Sequence, residues 1–164
     1  MADVNNSKLL NINTGILNKD ACIVIVKTEW NATVVDELER GCREMLLETE
    51  VRELRTITVP GAFEIPFTIK RFWEANRDTH NQPAAFIALG CIIRGDTPHF
   101  DYVCQAVTQG VLQLNLTLPV PVIFGVLTVD NDQQAAERIG GKHGHKGKEA
   151  AITALKMVST IKTF

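Results

Sequence analysis

The chain reads as an α/β protein: a four-stranded parallel sheet with helices on both faces, a doubly wound three-layer α/β/α sandwich. Three observations point there. Short apolar runs alternate along the sequence with longer segments of helical periodicity. The first run, ACIVIV (21–26), is continuously apolar and rich in β-branched residues, as expected of a strand covered on both sides. Strands alternating with helices imply crossover connections, and right-handed crossovers stack the helices in layers on a parallel sheet.

Each element has its own signature. ACIVIV (21–26) is the first strand. Residues 33–48 follow with Val34, Val35, Leu38, Cys42, Met45 and Leu46 at helical spacing. RTITV (55–59) is the second strand, ended by Pro60-Gly61. Pro66 is tolerable only in a first helical turn, so the next helix starts near Glu64 or Ile65. Trp73, in that helix beside Phe72, reads as packing or an oligomer contact. AAFIALGCII (84–93) is the third strand. The helix over 98–117 carries Phe100, Val103, Cys104, Val107, Val111 and Leu114 on one face. PVIFGVLTV (121–129) is the fourth strand. Two terminal helices, 132–139 and 147–161, are separated by the Gly-rich GGKHGHKG.

The 164 residues fit one domain, 1–164, long enough to fold without disulfides or metal. With 45% hydrophobic and 22% charged residues, disorder, collagen and coiled coil are excluded for the whole chain. The net charge of −2 provides no global basic field, which argues against nucleic-acid binding. Residues 1–20 lack the basic start and apolar core of a secretory signal. No stretch reaches the roughly 20 apolar residues of a membrane span. Cys22, Cys42, Cys91 and Cys104 form no CxxC and read as free thiols of a cytoplasmic protein.

Open parallel sheets bind ligands beyond the carboxyl ends of their strands. Those ends carry Lys27-Thr28-Glu29-Trp30, Pro60-Gly61-Ala62-Phe63-Glu64, Arg94-Gly95-Asp96-Thr97-Pro98-His99 and Thr128-Val129-Asp130-Asn131. Asp96 or Thr97 suits a helix cap and Pro98 the first helical position. His99 then lies in the first turn, where unpaired N–H groups favour an anion and the dipole favours a neutral imidazole able to move protons; the plain alternative is a surface histidine. Trp30 is suited to cover a flat heterocycle, or to pack as a satellite core residue. Glu64 can accept hydrogen bonds from a polyol, or simply complement a helix start. In ERIGGKHGHKGKE, Arg138 suits a bidentate phosphate contact, while Lys142, Lys146 and Lys148 otherwise read as a solvated basic loop. His143 and His145 form an HxH with no third ligand nearby, a weak metal signal.

VPGAFEIPF, LGCIIRGDTPHFDYVC, VPVIFGVLT and ERIGGKHGHKG, in this order, resemble the signature segments of the lumazine synthase family, from about residue 20 onward. The resemblance implies a flavodoxin-like sandwich whose N-terminal segment, 1–19, packs on a neighbouring subunit. It implies a pentamer with active sites at subunit interfaces. No insertion precedes the last helix, which favours an icosahedral 60-mer, a shell that encloses riboflavin synthase in some relatives. The implied reaction joins 5-amino-6-(D-ribitylamino)uracil to 3,4-dihydroxy-2-butanone 4-phosphate. It gives 6,7-dimethyl-8-ribityllumazine, phosphate and water, the penultimate step of riboflavin biosynthesis, with no cofactor and no metal.

Residue by residue, the resemblance implies that Trp30 stacks on the pyrimidine. Ala62, Phe63 and Glu64 match the segment holding the ribityl chain and ring, and Cys91, Ile92 and Ile93 line the pyrimidine pocket. Asp96 and Thr97 match the backbone that grips the phosphate, and His99 the acid/base residue. Phe124 matches an aromatic contributed by the adjacent subunit, and Arg138 and Lys146 the phosphate-binding cations. Asp96 and His145 depart from the family pattern. The alternatives are a flavin-binding module and a weakly active paralogue serving as a container. VKTEWNAT lacks a Gly-rich phosphate loop, which argues against the flavin module.

Overall fold

In a computed structural model, residues 8–9, 21–51 and 53–164 are described. The elements are β1 (Cys22–Thr28), α1 (Ala32–Glu48), β2 (Glu53–Val59), a 3₁₀ turn (Ala62–Glu64), α2 (Ile65–Asn76) and β3 (Pro83–Ile93). They continue with α3 (His99–Thr117), β4 (Val122–Val129), α4 (Asp132–Ala136), β5 (Ile139–Gly141), β6 (Gly144–His145) and α5 (Lys146–Ile161). β1 to β4 form one parallel sheet in the order β2-β1-β3-β4. The expected α/β/α architecture is therefore observed.

Alternation along each strand explains the continuous apolar runs. Ile23, Ile25, Ile87 and Leu89 face one core with Leu38, Cys42 and Leu46 of α1 and Ala151 and Leu155 of α5. Val24, Val26, Phe86 and Ala88 face the other, with Ile65, Ile69 and Trp73 of α2 and Val107 and Val111 of α3. Trp73 is thus a core residue, only 6% exposed. α1 and α5 approach so closely that a Cβ on Gly147 would lie 2.0 Å from the Leu38 carbonyl oxygen.

Pro66 sits in the first turn of α2, as its missing N–H requires. Two local expectations are corrected. The helix expected over 132–139 ends at Ala136, and the Gly-rich segment is not a plain loop but the β5–β6 hairpin. Gly140 and Gly144, at φ 116° and 77°, permit that reversal. At α3, Pro98 takes the cap position and no side chain caps the helix, so neither Asp96 nor Thr97 plays that part. The docking expected of residues 1–19 lies almost wholly outside the described residues. No described helix is long and apolar enough to cross a membrane. The four cysteines are free thiols, with Cys104 half-buried and the others buried.

Candidate active site

Parallel pairing brings the four strand ends to one edge, with Thr28 beside Val59 and Ile93 beside Val129. A cleft of about 520 Å³ opens there. It is lined by Thr28, Trp30 and Asn31 after β1, and by Gly61, Ala62, Phe63 and Glu64 after β2. Cys91, Ile92 and Ile93 of β3 and His99 and Val103 of α3 complete it.

The loop after β1 is held by backbone bonds from Glu29 N to Val59 O (2.9 Å) and from Trp30 N to Pro60 O (3.4 Å). Trp30 is 73% exposed and Phe63 63%, so two aromatic faces are offered to the opening rather than to the core. Gly61 lets its neighbours come close: a Cβ there would lie 3.1 Å from Glu64 Oε2 and 3.6 Å from Trp30 Cδ1. Glu64 stands at the N-cap of α2, and its side chain makes no capping bond. Burial, then the charge of Asp132, pushes the Cys91 thiol up to about 11. It stays protonated at neutral pH, and the residue lines the cleft.

His99 is the first residue of α3 and is exposed to the cleft. Asp96 and Thr97 lie in the exposed loop just before it. Eight of the sequence-selected residues therefore share one cleft: Trp30, Ala62, Phe63, Glu64, Cys91, Ile92, Ile93 and His99.

The remaining three are elsewhere in the protomer. Phe124 and Lys146 line a different groove, of about 550 Å³, between β4 and α5. Lys146 is tied there to both carboxylate oxygens of Glu149, at 2.9 and 2.7 Å. Arg138, after α4, donates from Nη1 to Gln134 O at 2.7 Å, and its buried Nε has no hydrogen-bond partner. The histidines of the hairpin face separate carboxylates. His143 Nε2 is 3.6 Å from Glu137, and His145 Nε2 is 3.3 Å from Glu37 of α1. His145 Nδ1 also accepts from Lys148 N at 3.4 Å, capping α5. Among the described residues, no three metal-ligating side chains converge.

The sequence placed Thr28 and Gly61 only within the strand-end segments and Val103 only on a helix face, with no role in the site, and it singled out nothing at Asn31. Asn31 had a readable signal: a short amide right after a strand end tolerates the left-handed backbone seen here, φ 57° and ψ 43°.

Residues 20–162 match the family model of 6,7-dimethyl-8-ribityllumazine synthase. The protein of that name from Porphyromonas gingivalis is 50% identical over 141 residues, 85% of this chain and 84% of the relative. Those from Parabacteroides distasonis and Bacteroides fragilis are each 47% identical over 139 residues, 84% of this chain and 84% and 94% of the relatives. With its fold, its cleft and these likenesses in agreement, the chain belongs to the 6,7-dimethyl-8-ribityllumazine synthase family.

Proposed function

We propose that this chain condenses 5-amino-6-(D-ribitylamino)uracil with 3,4-dihydroxy-2-butanone 4-phosphate to 6,7-dimethyl-8-ribityllumazine, the transferase step before riboflavin itself. The observation that carries the reading is the single cleft shared by Trp30, Glu64 and His99. It offers a flat aromatic, a hydroxyl-binding carboxylate and a proton carrier within one opening.

In this reading Trp30 stacks on the pyrimidine. Ala62, Phe63 and Glu64 take the ribityl side, and Cys91, Ile92 and Ile93 form the apolar wall. The backbone at Asp96 and Thr97 receives the phosphate. The primary amine attacks the ketone, and loss of water gives an imine. Phosphate leaves, and the ribityl-bearing nitrogen closes the second ring with loss of another water. No electrons are transferred overall. Holding two reactants in register can supply up to about 7–11 kcal/mol of barrier reduction. His99 relays protons for imine formation and elimination, an effect of roughly 10²–10⁴-fold. Arg138 neutralises the departing phosphate.

The site is completed between protomers. Phe124, Arg138 and Lys146 lie outside the cleft of their own chain, which supports their service to a neighbour's cleft. Phe63, Phe67, Tyr102, Leu112 and Leu116 are large apolar side chains left exposed on the protomer, and their burial in an assembly would remove them from water. The assembly proposed is a pentamer of single-domain chains (1–164) with segment 1–19 docked on a neighbour. Twelve pentamers would close into a cytoplasmic shell, able to enclose riboflavin synthase.

Mixing the protein with both substrates tests the activity. Lumazine fluorescence should appear with one phosphate released per product. Absence of both signals would overturn the reading. Sedimentation tests the assembly, for which a monomer at assay concentration is the contrary result.

A further inference from the structure

We propose that Arg94 is a positioning residue, a clasp that joins the two ends of the 95–98 loop and holds it in the form that receives the phosphorylated ketone. The inference rests on the proposed reaction and goes beyond it, because Arg94 lines no part of the cleft.

The loop has little packing of its own. Residues 94–99 are all exposed, and a Cβ on Gly95 would meet nothing within 4 Å. Segments of this kind open at small cost unless something ties them. Arg94 supplies the tie. Its backbone N donates to Val129 O at 2.9 Å, anchoring the near end to β4. Its side chain then reaches three partners. Nε donates to Asp130 Oδ1 at 3.0 Å. Nη1 lies 3.3 Å from Asp101 Oδ1. The guanidinium carbon lies 4.1 Å from the centre of the Phe100 ring.

Phe100 and Asp101 are in the first turn of α3, immediately after His99, so the far end of the loop is gripped as well. Asp130 is itself held, by its own N–H to Gln134 Oε1 at 2.9 Å and by Gln134 Nε2 to Oδ2 at 3.4 Å. Exposed ion pairs contribute little to global stability, so the gain is local order. A planar fork over an aromatic ring suits that task, which a lysine cannot reproduce. Two of the guanidinium nitrogens already face carboxylates, so the group is arranged as a brace and not as a free phosphate ligand.

The test uses the full-length protein in its native assembly, with Arg94→Met, Arg94→Lys and Asp130→Asn. Steady-state constants for both substrates, inhibition by inorganic phosphate, hydrogen exchange of the loop amides and Tm are measured. Arg94→Met should raise KM for the ketone phosphate about tenfold or more and weaken phosphate inhibition in parallel. KM for the pyrimidine and Tm should stay near wild type, and amides 95–97 and 99 should exchange faster. Arg94→Lys should fall between. Asp130→Asn should shift the same way as Arg94→Met. If Arg94 bound phosphate directly, freeing it from Asp130 would lower that KM, and this result would overturn the clasp. So would unchanged loop exchange in Arg94→Met, or equal losses for both substrates. Should Arg94→Met not fold, the other two variants decide. If wild type forms no lumazine, the reaction falls, and loop exchange with phosphate binding still judges the clasp.

Discussion

The side-chain amide of Asn31 donates to the carbonyl oxygen of Cys91 at 2.8 Å, tying the loop after β1 to the end of β3. Trp30, one residue earlier, is held at the rim by this tie together with its own N–H to the Pro60 carbonyl at 3.4 Å. Asn31 also holds a left-handed backbone at φ 57°. Asn31→Ala loses the bond and strains the backbone, and should cost about 1–2 kcal/mol in denaturant unfolding. Asn31→Gly relieves the backbone but not the missing amide. Both should raise KM for the pyrimidine, with Asn31→Gly the more stable of the two.

His99 and Arg138 should separate chemistry from binding. His99→Ala should lower kcat by roughly 10²-fold or more with both KM values little changed. Arg138→Ala should raise KM for the ketone phosphate far more than for the pyrimidine. Full activity in the first, or equal KM effects in the second, would contradict the assigned roles.

Glu37 sets an acid limit. The Arg40 guanidinium foremost, with His145 adding to it, lowers its carboxyl from 4.5 to about 2. A depressed carboxylate stabilises the fold above its unfolded value, and that contribution is lost as pH falls from about 4.5 toward 2. Wild type should therefore lose more stability between about pH 6 and pH 3 than Glu37→Gln does, measured as the shift in urea midpoint. Because the pair is partly solvated, high salt should narrow the difference.

Two glycines predict opposite outcomes. At Gly147 an added methyl would run into the Leu38 backbone at 2.0 Å, so α1 and α5 must part. Gly147→Ala should cost about 1–3 kcal/mol or more. At Gly95 the same methyl meets open space. Gly95→Ala should leave Tm nearly unchanged.

Much of this molecule was legible in its amino acids, for reasons that particular residues make plain. Ile23 and Val24 point to opposite cores, so a strand covered twice must be apolar at every position, and it can be read directly. Pro66 dated the start of α2 to within a residue. The hairpin over 139–145 escaped because its strands are three and two residues long, too short for any period. The missing side-chain cap at α3 is not legible because Pro98 itself occupies the position that the residue types of Asp96 and Thr97 suit. The left-handed backbone at Asn31 was readable from its residue type, but its bond to Cys91 was not, because the partner is sixty residues away. The strand-end rule found the cleft, yet it says nothing about β4's outer face, where Phe124 lies.

That separation of Phe124, Arg138 and Lys146 from Trp30 and His99 has a genetic corollary in the proposed ring. A protomer damaged at Trp30 still lends sound cations to the next, and one damaged at Arg138 still owns a sound cleft. Co-assembling the two defective proteins from denaturant should restore roughly one site in four by random placement, although neither recovers alone.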